Sequence, residues 1–173
     1  MPFSDTSNIP WFTEVVKSLS PRTVLDIGPG YGKYGRILKN QFSNLIVDAV
    51  EVWSPYIEKY GLPEFYRNIQ IADVRSIESF NYDLVILGDI LEHMTESEAL
   101  KVWSNISKQA GSAIISIPII KYPQGEEEGN PYEVHIDEDW THQRVLDSFS
   151  GITEYELFKV TGSYLAIFKD WNV

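Results

Sequence analysis

The residues that could take part in proton transfer or metal binding are one short cluster and a later histidine. Asp89, Glu92 and His93 lie within five residues of one another, and His135 follows later. If a helix begins near Ile90, residues three and four positions apart share one side of it. These four residues are the candidate catalytic groups, with a histidine as general base and activity that rises between about pH 6 and 8. The same four, as two carboxylates and two imidazoles, could instead bind a divalent metal.

A glycine-rich turn comes earlier in the chain. The apolar run 23–27 contains Asp26 and leads into the alternate glycines Gly28, Gly30 and Gly32, after which a helical pattern opens. Glycine permits a close backbone approach to a ligand and positive φ angles. A helix N-terminus adds unpaired N–H groups and the positive end of a dipole. The pattern predicts a strand, turn and helix that bind a nucleotide.

Two classes of ligand bind at such a turn, and the position of the glycines relative to the end of the strand distinguishes them. Gly30, Gly32 and Gly35 have the G-x-G-x-x-G spacing of dinucleotide-binding enzymes. That frame fits less well, because the strand is expected to end at Ile27 and Pro29 is not suited to a central strand. An enzyme that binds NAD or a nucleotide sugar is the weaker alternative.

The motif D-x-G-x-G-x-G, which begins at Asp26, resembles that of class I S-adenosylmethionine-dependent methyltransferases, in particular the single-domain type 11/12-like members. The resemblance implies S-adenosylmethionine as the cofactor and S-adenosylhomocysteine as the product. In nucleotide-binding folds, an acid that ends the second strand accepts hydrogen bonds from the ribose hydroxyls, and Glu51 lies at that position. The expected cofactor-binding residues are Asp26, Gly28, Pro29, Gly30, Tyr31, Gly32, Glu51, Val52, Trp53, Asp73, Val74 and Asp89.

Two of these assignments have a structural alternative. Trp53 could stack on the adenine ring, or it could be a packed aromatic residue at a strand end. Asp73 matches the acid that contacts the adenine amino group in this family, or it could cap the turn that follows a strand.

The order of elements predicts an α/β fold. Strands and helices alternate five times, the last helix over 137–149, and two strands then flank a hairpin turn at 161–163. The resemblance implies a doubly wound Rossmann-like three-layer sandwich. Its seven-stranded, mostly parallel sheet would have the order 3-2-1-4-5-7-6 and a C-terminal antiparallel hairpin. Residues 1–173 are expected to form one domain, in which an N-terminal helix within 1–20, capped by Asn8, covers the sheet.

The stretch 121–134 is predicted to be irregular because it contains two glycines and two prolines. It follows the carboxyl end of the fifth strand, where α/β sheets bind ligands. We expect a substrate loop there, with a surface excursion as the alternative.

Composition limits the partners and the compartment. The net charge of −11 argues against a nucleic-acid partner, because phosphate contacts need Lys and Arg. The chain has no cysteine, no apolar stretch long enough to span a membrane and no signal peptide, so a cytoplasmic monomer or homodimer without membrane contact is expected.

The function predicted from these residues is methyl transfer to an oxygen, or a nitrogen, of a small molecule or sugar. A non-catalytic protein that binds S-adenosylmethionine or a nucleotide is one alternative. The pattern acid-x-x-Glu-His with a later His is also similar to metal-dependent RNA 2′-O-methyltransferases and to ubiquinone-type O-methyltransferases. This chain departs from them by Asp89 where they carry Glu, and it lacks the extra domains of the RNA enzymes.

Overall fold

The computed structural model describes residues 5–169, which form a seven-stranded sheet with helices on both faces. The strand order β3-β2-β1-β4-β5-β7-β6 confirms the prediction. Strands β1 to β5 are parallel, and β7 and β6 complete the sheet in antiparallel pairing. The helices are α1 (Ile9–Leu19), α2 (Lys33–Gln41), α3 (Pro55–Lys59), α4 (Glu96–Gln109) and α5 (His142–Ser148). The strands are β1 (Thr23–Ile27), β2 (Ile46–Glu51), β3 (Asn68–Ile71), β4 (Leu84–Gly88), β5 (Ser112–Pro118), β6 (Ile152–Leu157) and β7 (Thr161–Ile167).

Alternating side chains of the central strands build two separate cores. Leu84 and Ile86 of β4 pack with α1 and α2, whereas Val85 and Leu87 pack with α4 and α5 on the opposite face. This division follows from the two-residue period of a strand, which turns successive side chains to opposite faces. Because both faces are covered, the strand is apolar at every one of these positions, as parallel strands usually are.

Helix α1 packs on one face of the sheet. Asn8, which was predicted to cap this helix, does not cap it through its side chain. Phe12 and Val16 are fully buried against the central strands. The side-chain amide of Asn8 instead donates to the hydroxyls of Tyr34 at 3.0 Å and Ser163 at 3.1 Å. These bonds attach the start of α1 to the interior, which satisfies a buried amide.

Two element boundaries predicted from the sequence are wrong. Helix α5 begins at His142 and not at Asp137, because the side chain of Thr141 caps it by accepting from the Arg144 amide. The hairpin turn lies at 158–160, and Gly162 belongs to β7. A Cβ atom at Gly162 would come within 2.5 Å of the Tyr164 hydroxyl, so this glycine permits close packing within the strand.

Parallel pairing brings the carboxyl ends of four strands to one edge of the sheet. Ile27 of β1 lies beside Val50 of β2 and Leu87 of β4, and Leu87 lies beside Ile115 of β5. The loops that follow these strands therefore start side by side, and this edge holds the candidate site. Within residues 5–169, none of the helices combines the length and the apolar character needed to cross a bilayer.

We expect Gly35→Ala to destabilise the fold. The new Cβ would lie 2.4 Å from the ring and hydroxyl of buried Tyr66, which is itself hydrogen-bonded to Asp26. Overpacking costs about 1–3 kcal/mol, against a gain of roughly 1 kcal/mol for alanine over glycine in a helix. Urea unfolding should therefore show a net loss of up to about 2 kcal/mol. Gly125→Ala is the control, since a Cβ there meets open space; equal stability of the two variants would contradict the expectation.

Candidate active site

Two neighbouring cavities lie at the carboxyl edge of the parallel strands. We call the smaller one, of about 430 Å³, the inner cavity and the larger one, of about 1610 Å³, the outer cleft; both volumes include space open to solvent. Gly28 and His93 line both, so the two are neighbours. The inner cavity is lined by Ile27, Gly28, Val50, Val52, Ala72, Asp73, Val74, Arg75, Ile90, His93, Met94 and Tyr132.

The glycine turn after β1 forms the floor between these two spaces. Gly28, Gly30 and Gly32 all have left-handed φ angles, of 62°, 54° and 83°. A Cβ on Gly28 would come within 2.1 Å of the Ile90 side chain, so only glycine fits. Pro29 and Gly30 line the outer cleft, and Gly32 is the N-cap residue of α2. The backbone of the turn is therefore exposed to a ligand at the place that the sequence predicts.

Asp26 lies beneath the turn and supports it from below. Its side chain is 1% exposed and accepts a hydrogen bond of 2.6 Å from the Tyr66 hydroxyl. That hydroxyl also accepts the Gly35 amide at 3.2 Å, which ties β1 to α2. Burial raises the pKa of Asp26 to about 7, although the Tyr66 hydrogen bond and the charge of Lys33 oppose the shift. Asp26 lines neither cavity.

Glu51 ends β2 between Val50 and Val52, which line the inner cavity, but Glu51 is not itself one of the lining residues. The carboxyl is buried, and the Trp53 amide donates to it at 2.8 Å. Burial raises the pKa of Glu51 to about 7, against the backbone hydrogen bonds of Trp53 and Gly30. A buried carboxyl with remaining lone pairs is suited to accept hydroxyl hydrogen bonds from a ligand.

The aromatic residue on the inner cavity is not the one predicted. Trp53 is half-buried and packs against Tyr132 with ring centroids 6.3 Å apart, and Tyr132 lines the cavity. Tyr132 belongs to the irregular loop after β5, so no local pattern linked it to this cavity. Val52, Asp73 and Val74 line the cavity. Asp73 also caps the short turn Val74–Ser76, as its structural alternative predicted, by accepting the Arg75 amide, and it pairs with the Arg75 side chain at 2.5 Å.

The residues after β4 adopt a tighter turn than the helix expected from Ile90. Asp89 has a left-handed φ of 55°, and a short 3-10 turn covers Leu91–His93. Helix α4 begins only at Glu96, behind a capping box formed by Thr95 and Glu98. Asp89 lines the outer cleft and lies close enough to Tyr31 for its charge to add to the burial that raises the Tyr31 pKa.

His93 and His135 form a pair where the inner cavity meets the outer cleft. Their ring centroids are 4.8 Å apart. Nδ1 of His135 lies 2.6 Å from the carbonyl oxygen of Tyr122, and Nδ1 of His93 lies 3.1 Å from that of Val134. A carbonyl oxygen accepts only, so each Nδ1 carries the proton, and Nε2 of neutral His135 is left with a lone pair.

Burial keeps both imidazoles neutral. It lowers the pKa of His93 to about 4, with a further contribution from the neighbouring His135. It also lowers the pKa of His135 below 6.5, against the opposing effect of the Tyr122 carbonyl. The expected rise in activity between pH 6 and 8 therefore moves to lower pH, because a neutral base is already present at pH 6.5.

Glu92 completes a set of three possible metal ligands. Its side chain is 1% exposed, and its carboxylate oxygens accept no hydrogen bond from another described residue. Burial, followed by the charge of Asp89, raises its pKa well above the ordinary value. Glu92, His93 and His135 offer ligand atoms within 4.8 Å of one another. Asp89 is not a member of this set.

Comparisons with known proteins identify the fold. No family model matches the chain, and no curated protein is similar to it in sequence. A protein of Nostoc punctiforme PCC 73102, described as a candidate O-methyltransferase, has a TM-score of 0.69 at 18% identity, over 91% of this chain and 54% of its own. TehB from Haemophilus influenzae has a TM-score of 0.70 at 16% identity, over 95% and 64%. The chain has the fold of class I methyltransferases.

A third similar structure was solved with a ligand. The N-terminal domain of EvdMO1 with SAH bound has a TM-score of 0.68 at 10% identity, over 96% of this chain and 83% of that one. The same domain was also solved in the presence of SAH and D-fucose. The chain spans about half the length of the Nostoc protein, so the likeness concerns one fold and not the whole of that protein.

We expect Asp26→Asn to change how stability depends on pH. The pKa of Asp26 is about 7 when folded and 3.8 as the reference value, so the wild-type protein loses stability as pH rises between these values. Asparagine does not titrate and can still accept the Tyr66 hydroxyl. Between pH 4 and 8, the free energy of unfolding of the variant should rise by about 4 kcal/mol relative to wild type, at ~1.4 kcal/mol per pKa unit. Parallel pH curves from urea unfolding would contradict this expectation.

Proposed function

We propose that the chain is a methyltransferase that moves the methyl group of S-adenosylmethionine to an oxygen, or less favourably a nitrogen, of a small molecule or sugar. The observation that carries this proposal is the neutral His135 at the junction of the two cavities. Its Nδ1 donates to the Tyr122 carbonyl, so its Nε2 can accept a proton from an acceptor in the outer cleft. A purely binding protein has no need of such a base.

The adenosine part of the cofactor would lie at the inner cavity. Val52 and Val74 would enclose the base and Asp73 would contact its amino group. Glu51, at the end of the neighbouring β2, would accept the ribose hydroxyls. The amino-acid end would lie on Pro29 and Gly30, in the backbone cradle that a Cβ would obstruct. A protein of the same fold was solved with SAH bound, which supports this choice of cofactor. The cofactor supplies a methyl group on a positively charged sulfur.

The residues of the outer cleft would position the acceptor and remove its proton. Asp89 and His93 lie on the side of the cofactor, and Tyr122 and His135 lie on the loop that covers the cleft. His135 would take the proton of the acceptor hydroxyl as the oxygen attacks the methyl group. Most of the rate would come from holding the two reactants in line.

The acceptor is proposed to be a small molecule or sugar because of the size and charge of the outer cleft. A cleft of about 1610 Å³ open to solvent has room for one or two sugar rings beside the donor. It is lined by Asp5, Asp89, Glu127 and Glu133 but by only one basic residue among those described, Lys159. Such a surface repels the phosphates of a nucleic acid. D-fucose in the EvdMO1 experiments is compatible with a sugar acceptor.

We expect His135→Ala to lower turnover by about 10²–10⁴, the usual effect of removing a positioned general base. Calorimetry should give an unchanged affinity for S-adenosylhomocysteine, since His135 does not line the inner cavity. In wild type, the acid limb of kcat/KM should lie below pH 6.5, because the His135 pKa is lowered. His142→Ala is a control outside the two cavities. Full activity of His135→Ala on a true acceptor would exclude the base role.

A second candidate function is metal-assisted methyl transfer, and Glu92 favours it. A buried carboxylate without a hydrogen-bond donor, beside two imidazoles within 4.8 Å, fits the ligand chemistry of a divalent ion. The backbone carbonyls that hold both Nδ1 atoms would orient the imidazoles, as outer partners of metal ligands often do. An ion at these residues would lower the pKa of an acceptor hydroxyl.

Titration with Mn²⁺ or Zn²⁺ tests the metal candidate without any acceptor. If the metal is functional, calorimetry should show one binding event in wild type that Glu92→Gln weakens at least tenfold, by analogy with loss of a metal ligand. Glu96→Gln, at the exposed start of α4, is the charge-matched control. Activity that survives complete chelation, together with no saturable metal binding, would leave His135 as a metal-independent base.

A further inference from the structure

The loop after β5 reaches across the site and binds to α3 on the far side. We call residues 127–133 of this loop the acidic bridge. Glu128 pairs with Lys59 at 2.5 Å and accepts the Tyr60 hydroxyl at 2.9 Å. Glu133 accepts the Tyr56 hydroxyl at 3.2 Å. The acidic bridge therefore connects the loop that carries His135 to the element that follows β2, and it covers the space between them.

Glu133 lies in this bridge, and no salt bridge within residues 5–169 includes it. Its hydrogen bonds come from the uncharged side chains of Tyr56, Asn130 and Gln124. The side chain is half-buried and lines the outer cleft. Its charge also adds to the burial that raises the pKa of Glu51, and to the effects of burial and Asp89 on Glu92. Glu133 thus interacts electrostatically with both Glu51 and Glu92.

The buried Glu92 is a separate indication that the site lacks a positive charge. It accepts no hydrogen bond from another described residue and is 1% exposed. No salt bridge among residues 5–169 includes Glu51, Glu92 or Glu133. Burial and mutual repulsion favour the protonated form of these carboxyl groups in the empty site, and a cationic ligand beside them would favour the ionised form.

We propose that Glu133 makes the acidic bridge sensitive to the charge of the methyl donor, so that the bridge closes on the substrate and loosens on the product. This inference rests on the proposed function. The acceptor oxygen forms a bond to the methyl carbon, the carbon–sulfur bond breaks, and its electron pair stays on sulfur as a neutral thioether. The acceptor proton passes to His135 and then to solvent. The positive charge on sulfur is then gone, so the Glu133 carboxylate no longer has a cation nearby to hold the acidic bridge closed.

Glu133→Gln tests this inference in the absence of any acceptor. The amide oxygen can still accept the Tyr56 hydroxyl, so the contact to α3 is kept while the charge is removed. Calorimetry with S-adenosylmethionine and S-adenosylhomocysteine gives the ratio of their dissociation constants. We expect the variant to lose preference for the charged donor about tenfold relative to wild type, as for two charges several ångströms apart at a partly buried site. Glu126→Gln, an exposed position in the same loop, should leave the ratio unchanged.

Hydrogen exchange of the loop gives a second measurement. In wild type, amides of residues 121–136 should exchange more slowly with the charged donor than with the neutral product. In Glu133→Gln the two ligands should protect them equally. If the substitution leaves the ratio of the two dissociation constants unchanged, including by lowering the affinity for both ligands equally, Glu133 has only a structural role and the inference is wrong. If wild type binds neither ligand, the proposed cofactor is wrong and this inference fails with it.

Discussion

The pairing of β1 with β2 on one side and β4 on the other is the constraint on which the site depends. Parallel pairing in register places Ile27, Val50 and Leu87 side by side, so the chain leaves all three strands at the same edge. The glycine turn, Glu51 and Asp89 are neighbours for this reason alone, although long stretches of sequence separate them. The two apolar cores hold the pairing in place, since every residue of β4 from Leu84 to Leu87 is buried in one of them.

This edge is also where the protein buries carboxyl groups. Asp26 and Glu51 each receive a hydrogen bond from a neutral donor, Tyr66 and the Trp53 amide respectively. These bonds satisfy the oxygens but bring no positive charge, so desolvation raises both pKa values to about 7. Glu92 receives neither a donor from another described residue nor a cation. Such a site is unfavourable when empty, and a cationic ligand binds there partly because it removes this cost.

The loop after β5 supplies several of the side chains that line the candidate site. Proteins 10–18% identical to this chain share the fold, because many combinations of apolar residues can pack the same sheet. The loop supplies Tyr132 on the inner cavity, His135 beside His93, and Glu133 on the outer cleft. The Ile136 and Asp137 amides both bind the Glu92 carbonyl, which fixes the loop against the turn after β4.

Local sequence patterns determined the alternation of strands and helices, the glycine turn and the acids in β1 and β2, because periodicity and glycine spacing act over a few residues. The sheet order followed from the resemblance to a known family. Tertiary structure decided the rest. Helix α5 begins only at His142, because the Ile136 and Asp137 amides bind the Glu92 carbonyl and Thr141 caps the helix. The Asn8 side chain does not cap α1 but donates to the buried Tyr34 hydroxyl, 26 positions away in sequence. Tyr132, and not Trp53, lines the inner cavity because the loop binds to α3, and contacts between distant segments have no local signature.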